Sequence, residues 1–180
     1  MAKPTRVDGK KSRDYPQSYD HLQKVDSRQR SSSPYQNPKS NLAVPFRGPI
    51  KGGMRPGKKV IVVGVIDSQP NRFYIVLSCG CGSLKEAPSD VALELSVRFK
   101  ERLVLRRACV SRTWSDTEKT LPFFPFIRDQ PFRMEICCEQ SRFRVMVDGQ
   151  QLFDFNHRVA ALEAVDTIWI KGSVKITKLG

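Results

Sequence analysis

From Asn41 to Gly180 apolar and polar residues alternate in short runs. The clearest run, Val91 to Phe99, carries Val91, Leu93, Leu95, Val97 and Phe99 at every second position, with Ala92, Glu94, Ser96 and Arg98 between them. Side chains of a strand point to opposite faces with a period of two, so the first set predicts a core-facing row and the second a displayed polar row. Comparable runs predict strands over residues 59–65, 72–79, 103–109, 132–139, 143–147, 151–155, 167–171 and 174–179. Turn formers punctuate them: Gly52-Gly53, Pro56-Gly57, Gln69-Pro70-Asn71, Pro88-Ser89-Asp90 and Asp148-Gly149. Asp-Gly between two alternating runs is a strong hairpin signal. No window holds a helical period, so the pattern predicts an all-β antiparallel sandwich or barrel and disfavours βαβ architecture.

Residues 1–40 have a different texture. They hold scattered Lys, Arg, Asp, Ser, Gln and Pro, including Ser31-Ser32-Ser33-Pro34, and almost no aliphatic residues. Such a segment cannot bury enough apolar surface to offset its ordering entropy, and a disordered basic tail is expected. The organisation predicted is therefore a tail over 1–40 and one folded domain over 41–180.

Charge changes this picture little. The 180 residues carry 31 Lys and Arg against 18 Asp and Glu, a formal net charge of +13. The tail contributes +5 (nine basic residues minus four Asp) and the remainder +8 (22 minus 14). A basic balance attracts anionic partners without specifying one. Nucleic-acid binding would need a basic stripe with interleaved aromatics or a recognisable module, and neither is present in the pattern. Five cysteines, Cys79, Cys81, Cys109, Cys137 and Cys138, make an odd, irregularly spaced set that suits a reducing compartment better than a disulfide framework. The amino terminus has no apolar h-region, and no run approaches the ~18 apolar residues of a membrane span. Cytoplasmic or nuclear residence is expected, with export only by a non-classical route.

Within the folded part, Val44-Pro45-Phe46, Gly52-Gly53-Met54-Arg55-Pro56-Gly57, Asp90-Val91-Ala92-Leu93, Phe124-Pro125-Phe126, Pro131-Phe132, Phe143-Arg144-Val145 and Leu152-Phe153-Asp154-Phe155-Asn156-His157-Arg158 follow one another in order. Together they resemble the galectin carbohydrate-recognition domain, and within that family the galectin-related proteins. The resemblance covers about Asn41 to Gly180. It implies a jelly-roll sandwich of two antiparallel sheets with a sugar site on the concave sheet. In the family, the resemblance implies, a histidine and an arginine bond the axial 4-hydroxyl of galactose while a tryptophan covers the apolar face of the ring. In register, Glu94 stands for the histidine, Ser96 for the asparagine, Val97 for the proline and Arg98 for the arginine. Arg107 takes the place of a second asparagine. Trp114 corresponds to the stacking tryptophan, followed by Thr117 and Lys119, with Glu118 one place later than the family's glutamate.

The substitutions have a physical cost. A carboxylate such as Glu94 is acceptor-only, whereas imidazole donates from one nitrogen and accepts at the other. Glu94 also lies on the same face as Arg98, where the two could pair. Ser96 is shorter than asparagine, Arg107 is bulkier and charged, and each polar contact left unmade costs ~1 to 3 kcal/mol. The expected site (Glu94, Ser96, Arg98, Arg107, Trp114, Glu118) is thus a degenerate one, without ordinary lactose binding. Trp114 remains open between an exposed stacking residue and a loop cap, while Trp169, in Ile168-Trp169-Ile170, reads as packing.

Catalysis finds no residue support, for there is no phosphate loop, nucleophile elbow or His-Asp-Ser grouping. Cys79-Gly80-Cys81 and Cys137-Cys138 lack structural-zinc spacing, and the only histidines are His21 and His157. No cofactor or metal is expected. The Phe123, Phe124 and Phe126 cluster reads as core and corner packing. The expectation is a non-enzymatic, monomeric lectin-fold protein that binds a protein partner or an atypical glycan. Two alternatives stay open: a working lectin of altered specificity, and a polyanion or nucleic-acid binder acting through charge.

Overall fold

The computed structural model describes residues 41–80 and 90–180. The tail expected over residues 1–40, Cys81, and the Pro88-Ser89 part of one predicted turn lie outside the described residues. Among those described, the strands are β1 (Phe46–Pro49), β2 (Lys59–Ile66), β3 (Arg72–Cys79), β4 (Val91–Arg98), β5 (Leu103–Val110), β6 (Thr113–Trp114), β7 (Pro131–Cys138), β8 (Arg142–Val147), β9 (Gln150–Asn156), β10 (Val165–Gly172) and β11 (Val174–Leu179). A 3-10 turn at Leu162–Ala164 precedes β10. No described helix is long and apolar enough to cross a membrane.

The strands form two antiparallel sheets, ordered β1-β10-β3-β4-β5-β6 and β11-β2-β7-β8-β9. This is the predicted two-sheet sandwich. The inner rows interdigitate between the sheets, as alternation requires. From the first sheet come Phe73, Ile75, Leu77, Leu93, Leu95 and Val97, and from the second Val62, Phe132, Met134, Ile136, Val145 and Phe155. The Asp148-Gly149 hairpin forms as expected, both residues taking positive φ (51° and 79°), the conformation that a two-residue turn between right-twisted strands demands.

An aromatic group closes one end of the core. Phe73 packs edge-on to Phe126 at 5.3 Å between ring centroids and stacks on Phe132 at 5.7 Å. Phe126 is buried and Phe124 half-buried against this group, as expected, whereas Phe123 is exposed and takes no part in the core.

Strand β4 departs from strict alternation in one place. Ser78 pairs with Val91 and Leu77 with Leu93, leaving Ala92 as an extra residue, a β-bulge. Ala92 and Leu93 both join the main core, while Val91 turns to the opposite face and packs with Val76 and Trp169. The expected faces of Val91 and Ala92 are therefore exchanged.

A second correction concerns the displayed row. Glu94 and Ser96 do face away from the sandwich interior, but they are only 4% and 5% exposed. β4 is the third-from-edge strand of its sheet, and its neighbours carry large side chains directly across. Ser96 lies between Tyr74 and Leu105, and Glu94 between Val76 and Arg107. Those flanking groups, standing side by side at cross-strand distance, bury the shorter side chains between them.

Candidate functional site

The outer face of the six-stranded sheet holds a cavity of about 210 Å³ lined by Tyr74, Glu94, Ser96, Arg98, Leu105, Arg107 and Thr117. Three adjacent strands build it. β3 supplies Tyr74, β4 the Glu94, Ser96 and Arg98 row, and β5 Leu105 and Arg107, each on the same face by the period-two rule. The segment after β6 supplies Thr117.

Arg107 organises the wall. Its Nε–H donates to Glu94 Oε1 at 2.8 Å, and its guanidinium carbon lies 3.9 Å from the centroid of the Trp114 ring. Stacking of a cation on an indole face contributes ~0.5 to 2 kcal/mol, more as water is excluded. Glu94 therefore pairs with Arg107 across the strands and not with Arg98 along its own strand. The reason is distance: directly opposed residues stand ~5 Å apart at Cβ, while i and i+4 on one strand are separated by four rises, about 13 Å. On the other side of the cavity Lys171, opposite Tyr74 in β10, sets its ammonium 4.8 Å from the Tyr74 ring. Burial holds the Lys171 pKa below its ordinary value, against smaller opposing pulls from Tyr74 and Glu94.

Of the six residues singled out from sequence, Glu94, Ser96, Arg98 and Arg107 line the cavity, and Trp114 touches it through Arg107. Trp114 pairs with Cys109 and packs against Val76, Val91 and Trp169, so it both seals a small apolar cluster and presents a ring that Arg107 covers. Trp169 is a packing residue, its indole N–H donating to Ser78 Oγ at 3.1 Å. Glu118 is elsewhere. It forms an isolated bridge with Arg106, and its Oε1 accepts from Arg158 Nη2 at 3.1 Å. Thr117, one residue earlier, lines the cavity, and Glu118 does not.

Sequence reasoning missed the residue that fixes this segment. Arg106 is buried on the inner side of β5, donates from Nη2 to Thr120 O at 2.8 Å and from Nη1 to Val104 O at 3.2 Å, and lies 4.2 Å from the Phe153 ring centroid. Burial lowers its pKa, with Glu118 opposing. Its signal in the sequence is the inward slot that alternation assigns to position 106, occupied by a charge.

The described cysteines, Cys79, Cys109, Cys137 and Cys138, are free thiols, and burial pushes the pKa of each up. Cys79 rises from the ordinary 9.0 to about 11, first by desolvation and then through Asp90 and Asp166. The thiolate is the nucleophile, so a raised pKa means an inert group. At pH 8 iodoacetamide should alkylate Cys79 in the folded chain about 100-fold more slowly than an ordinary thiol, from its thiolate population alone. Peptide mapping by mass spectrometry, native against urea-unfolded, checks this, and fast native labelling would refute it.

With the cavity in place, the likenesses to known proteins can be stated. Residues 45–180 match the galactoside-binding lectin family. The chain is 32% identical to galectin-4 of Bos taurus over 140 residues, 78% of this chain but 40% of that protein, so it spans well under half of that relative's length. Among solved structures, Caenorhabditis elegans galectin LEC-6 superposes with a TM-score of 0.65 at 24% identity, covering 76% of this chain and 89% of the other. A human galectin-16 variant superposes with a TM-score of 0.67 at 22% identity, covering 78% and 96%. A sheep galectin-11 complex with glycerol gives 0.66 at 16% identity, covering 77% and 98%. At these identities the structural matches establish a shared fold.

Proposed function

We propose that this chain, which belongs to the galectin family of galactoside-binding lectins, is a non-enzymatic binding module that does not take lactose or other simple β-galactosides. Its occupant is a protein surface or a glycan chemically unlike lactose. The observation that carries this reading is the double engagement of Arg107, bonded to Glu94 and stacked on Trp114. In the galectin register those two residues would receive the sugar's hydroxyl and its apolar face. Here each already has an intramolecular partner. A galactoside would have to break the ion pair and uncover the indole, taking the Arg107 guanidinium away from a buried carboxylate.

Free thiols at the four described cysteines support a reducing location, cytoplasmic or nuclear. Titration calorimetry with lactose should give no binding heat, and a lactose column should pass the chain in the flow-through. Retention with elution by free lactose would overturn the reading.

A further inference from the structure

Two polar atoms of the cavity wall are left without partners. Ser96 Oγ and Arg98 Nε are both buried and make no hydrogen bond, although they sit two residues apart on one face of β4. Ser96 is 5% exposed and lines the cavity with Arg98. A buried donor left unmade costs ~1 to 3 kcal/mol, so a ligand that accepts from both would recover a large share of that. Arg98 makes no ion pair among the described residues. Glu94, the one carboxylate of the cavity wall, is held by Arg107, while Lys171 stands on the far side of Tyr74. Among the residues lining the cavity, one carboxylate thus stands with two guanidinium cations.

Resting on the reading that simple galactosides are excluded, we propose that this cavity takes the oxyanion of an anionic saccharide, a sulfate or carboxylate borne on a sugar, held by Arg98 Nε and Ser96 Oγ. An oxyanion presents two acceptor oxygens at once and carries the charge that the local excess of cations requires, whereas a neutral hydroxyl supplies neither. The size of the cavity, about 210 Å³, is below the ~300 Å³ at which pockets for drug-sized ligands begin, and suits one sugar unit. The carrier is a saccharide and not an extended peptide, because β3, β4 and β5 are each paired on both sides and offer no strand edge to a backbone. Tyr74, Leu105 and Thr117 complete the wall with a ring, an aliphatic group and a hydroxyl, surfaces fitted to the C–H face and hydroxyls of a sugar.

The test is a titration of the isotope-labelled full chain with galactose monosulfate, glucuronate, galactose, inorganic sulfate, lactose and an aspartate-rich peptide, following the Arg98 Nε–Hε resonance by NMR. That resonance is assigned from its loss in Arg98→Lys. The expected result is a saturable shift with the two anionic sugars, a weaker one with inorganic sulfate, and none with galactose. Ser96→Ala should weaken anionic-sugar binding by about tenfold, Arg98→Ala should abolish it, and added salt should reduce it. Amide spectra of both variants confirm folding, and Ser96→Ala keeps the test valid if Arg98→Ala unfolds. No shift with any anion overturns the oxyanion assignment alone. A response that survives Arg98→Ala, or tighter binding of the acidic peptide than of either anionic sugar, also overturns it. Lactose binding as tight as that of the anionic sugars overturns instead the exclusion of simple galactosides.

Discussion

Replacing three residues together, Glu94→His with Ser96→Asn and Arg107→Asn, should give the chain a lactose affinity about 100-fold or more above that of the wild type, enough for retention on a lactose column. The estimate follows from three polar contacts that the present side chains cannot make, each worth at least ~1 kcal/mol, with ~1.4 kcal/mol per tenfold. The structure adds that the substitutions must act together. Arg107→Asn alone uncovers Trp114 but leaves Glu94, 4% exposed, without the guanidinium it bonds at 2.8 Å. Glu94→His alone leaves Arg107 stacked at 3.9 Å on the indole. Each single variant should therefore fail to be retained, and the triple variant should exceed the sum of the singles, as expected for residues in direct contact. Arg98 is untouched in every variant. Retention by Arg107→Asn alone would show that Arg107 is the whole obstacle and that Glu94 and Ser96 are compatible with lactose. A folded triple variant that still passes through would move the obstacle to the segment bearing Trp114 and Thr117.

The strands were legible where side chains alternate by size as well as polarity. β3 and β11 run over the residues that alternation picks out, and most of the other long strands differ from it by a residue or two at their ends. Phe46–Pro49 was missed because a glycine and a proline sit in its four residues, and Thr113–Trp114 because two residues carry no period. Alanine explains the bulge: Ala92 is small enough for either face, so nothing in the sequence marks it as the extra residue that turns Val91 outward. The site was legible as a row and illegible as a site. Period two assigns a face to Glu94 and Ser96, but their burial depends on Tyr74, Leu105 and Arg107 across the neighbouring strands. The partner of Glu94 likewise depends on register between β4 and β5, which pairs it with Arg107. For the same reason Thr117 and Glu118 could not be told apart, since the bridge to Arg106 sets which of them points inward to the cavity.

Phe73→Ala should destabilise the domain by about 3 to 5 kcal/mol, a third or more of the ~5 to 15 kcal/mol that holds a typical domain together. Phe73 is fully buried on β3, the strand that also supplies Tyr74 to the cavity. Its ring meets Phe99 at 6.1 Å, Phe126 at 5.3 Å and Phe132 at 5.7 Å between centroids. Phe132 belongs to β7 in the opposite sheet, so the stacked pair, 22° between ring planes, ties the two sheets across the core. Truncation removes the transfer free energy of the ring and its aromatic contacts, and it leaves a hole that three rigid rings cannot fill by rotating. Phe73→Leu retains much of the volume and should cost less than half as much. Urea unfolding followed by tryptophan fluorescence measures both. The midpoint should fall in the order wild type, Phe73→Leu, Phe73→Ala with an unchanged slope, because the surface exposed on unfolding is nearly the same. A loss under about 1 kcal/mol for Phe73→Ala would mean that the sheets close over the vacated space, and that the stacked pair does not join them.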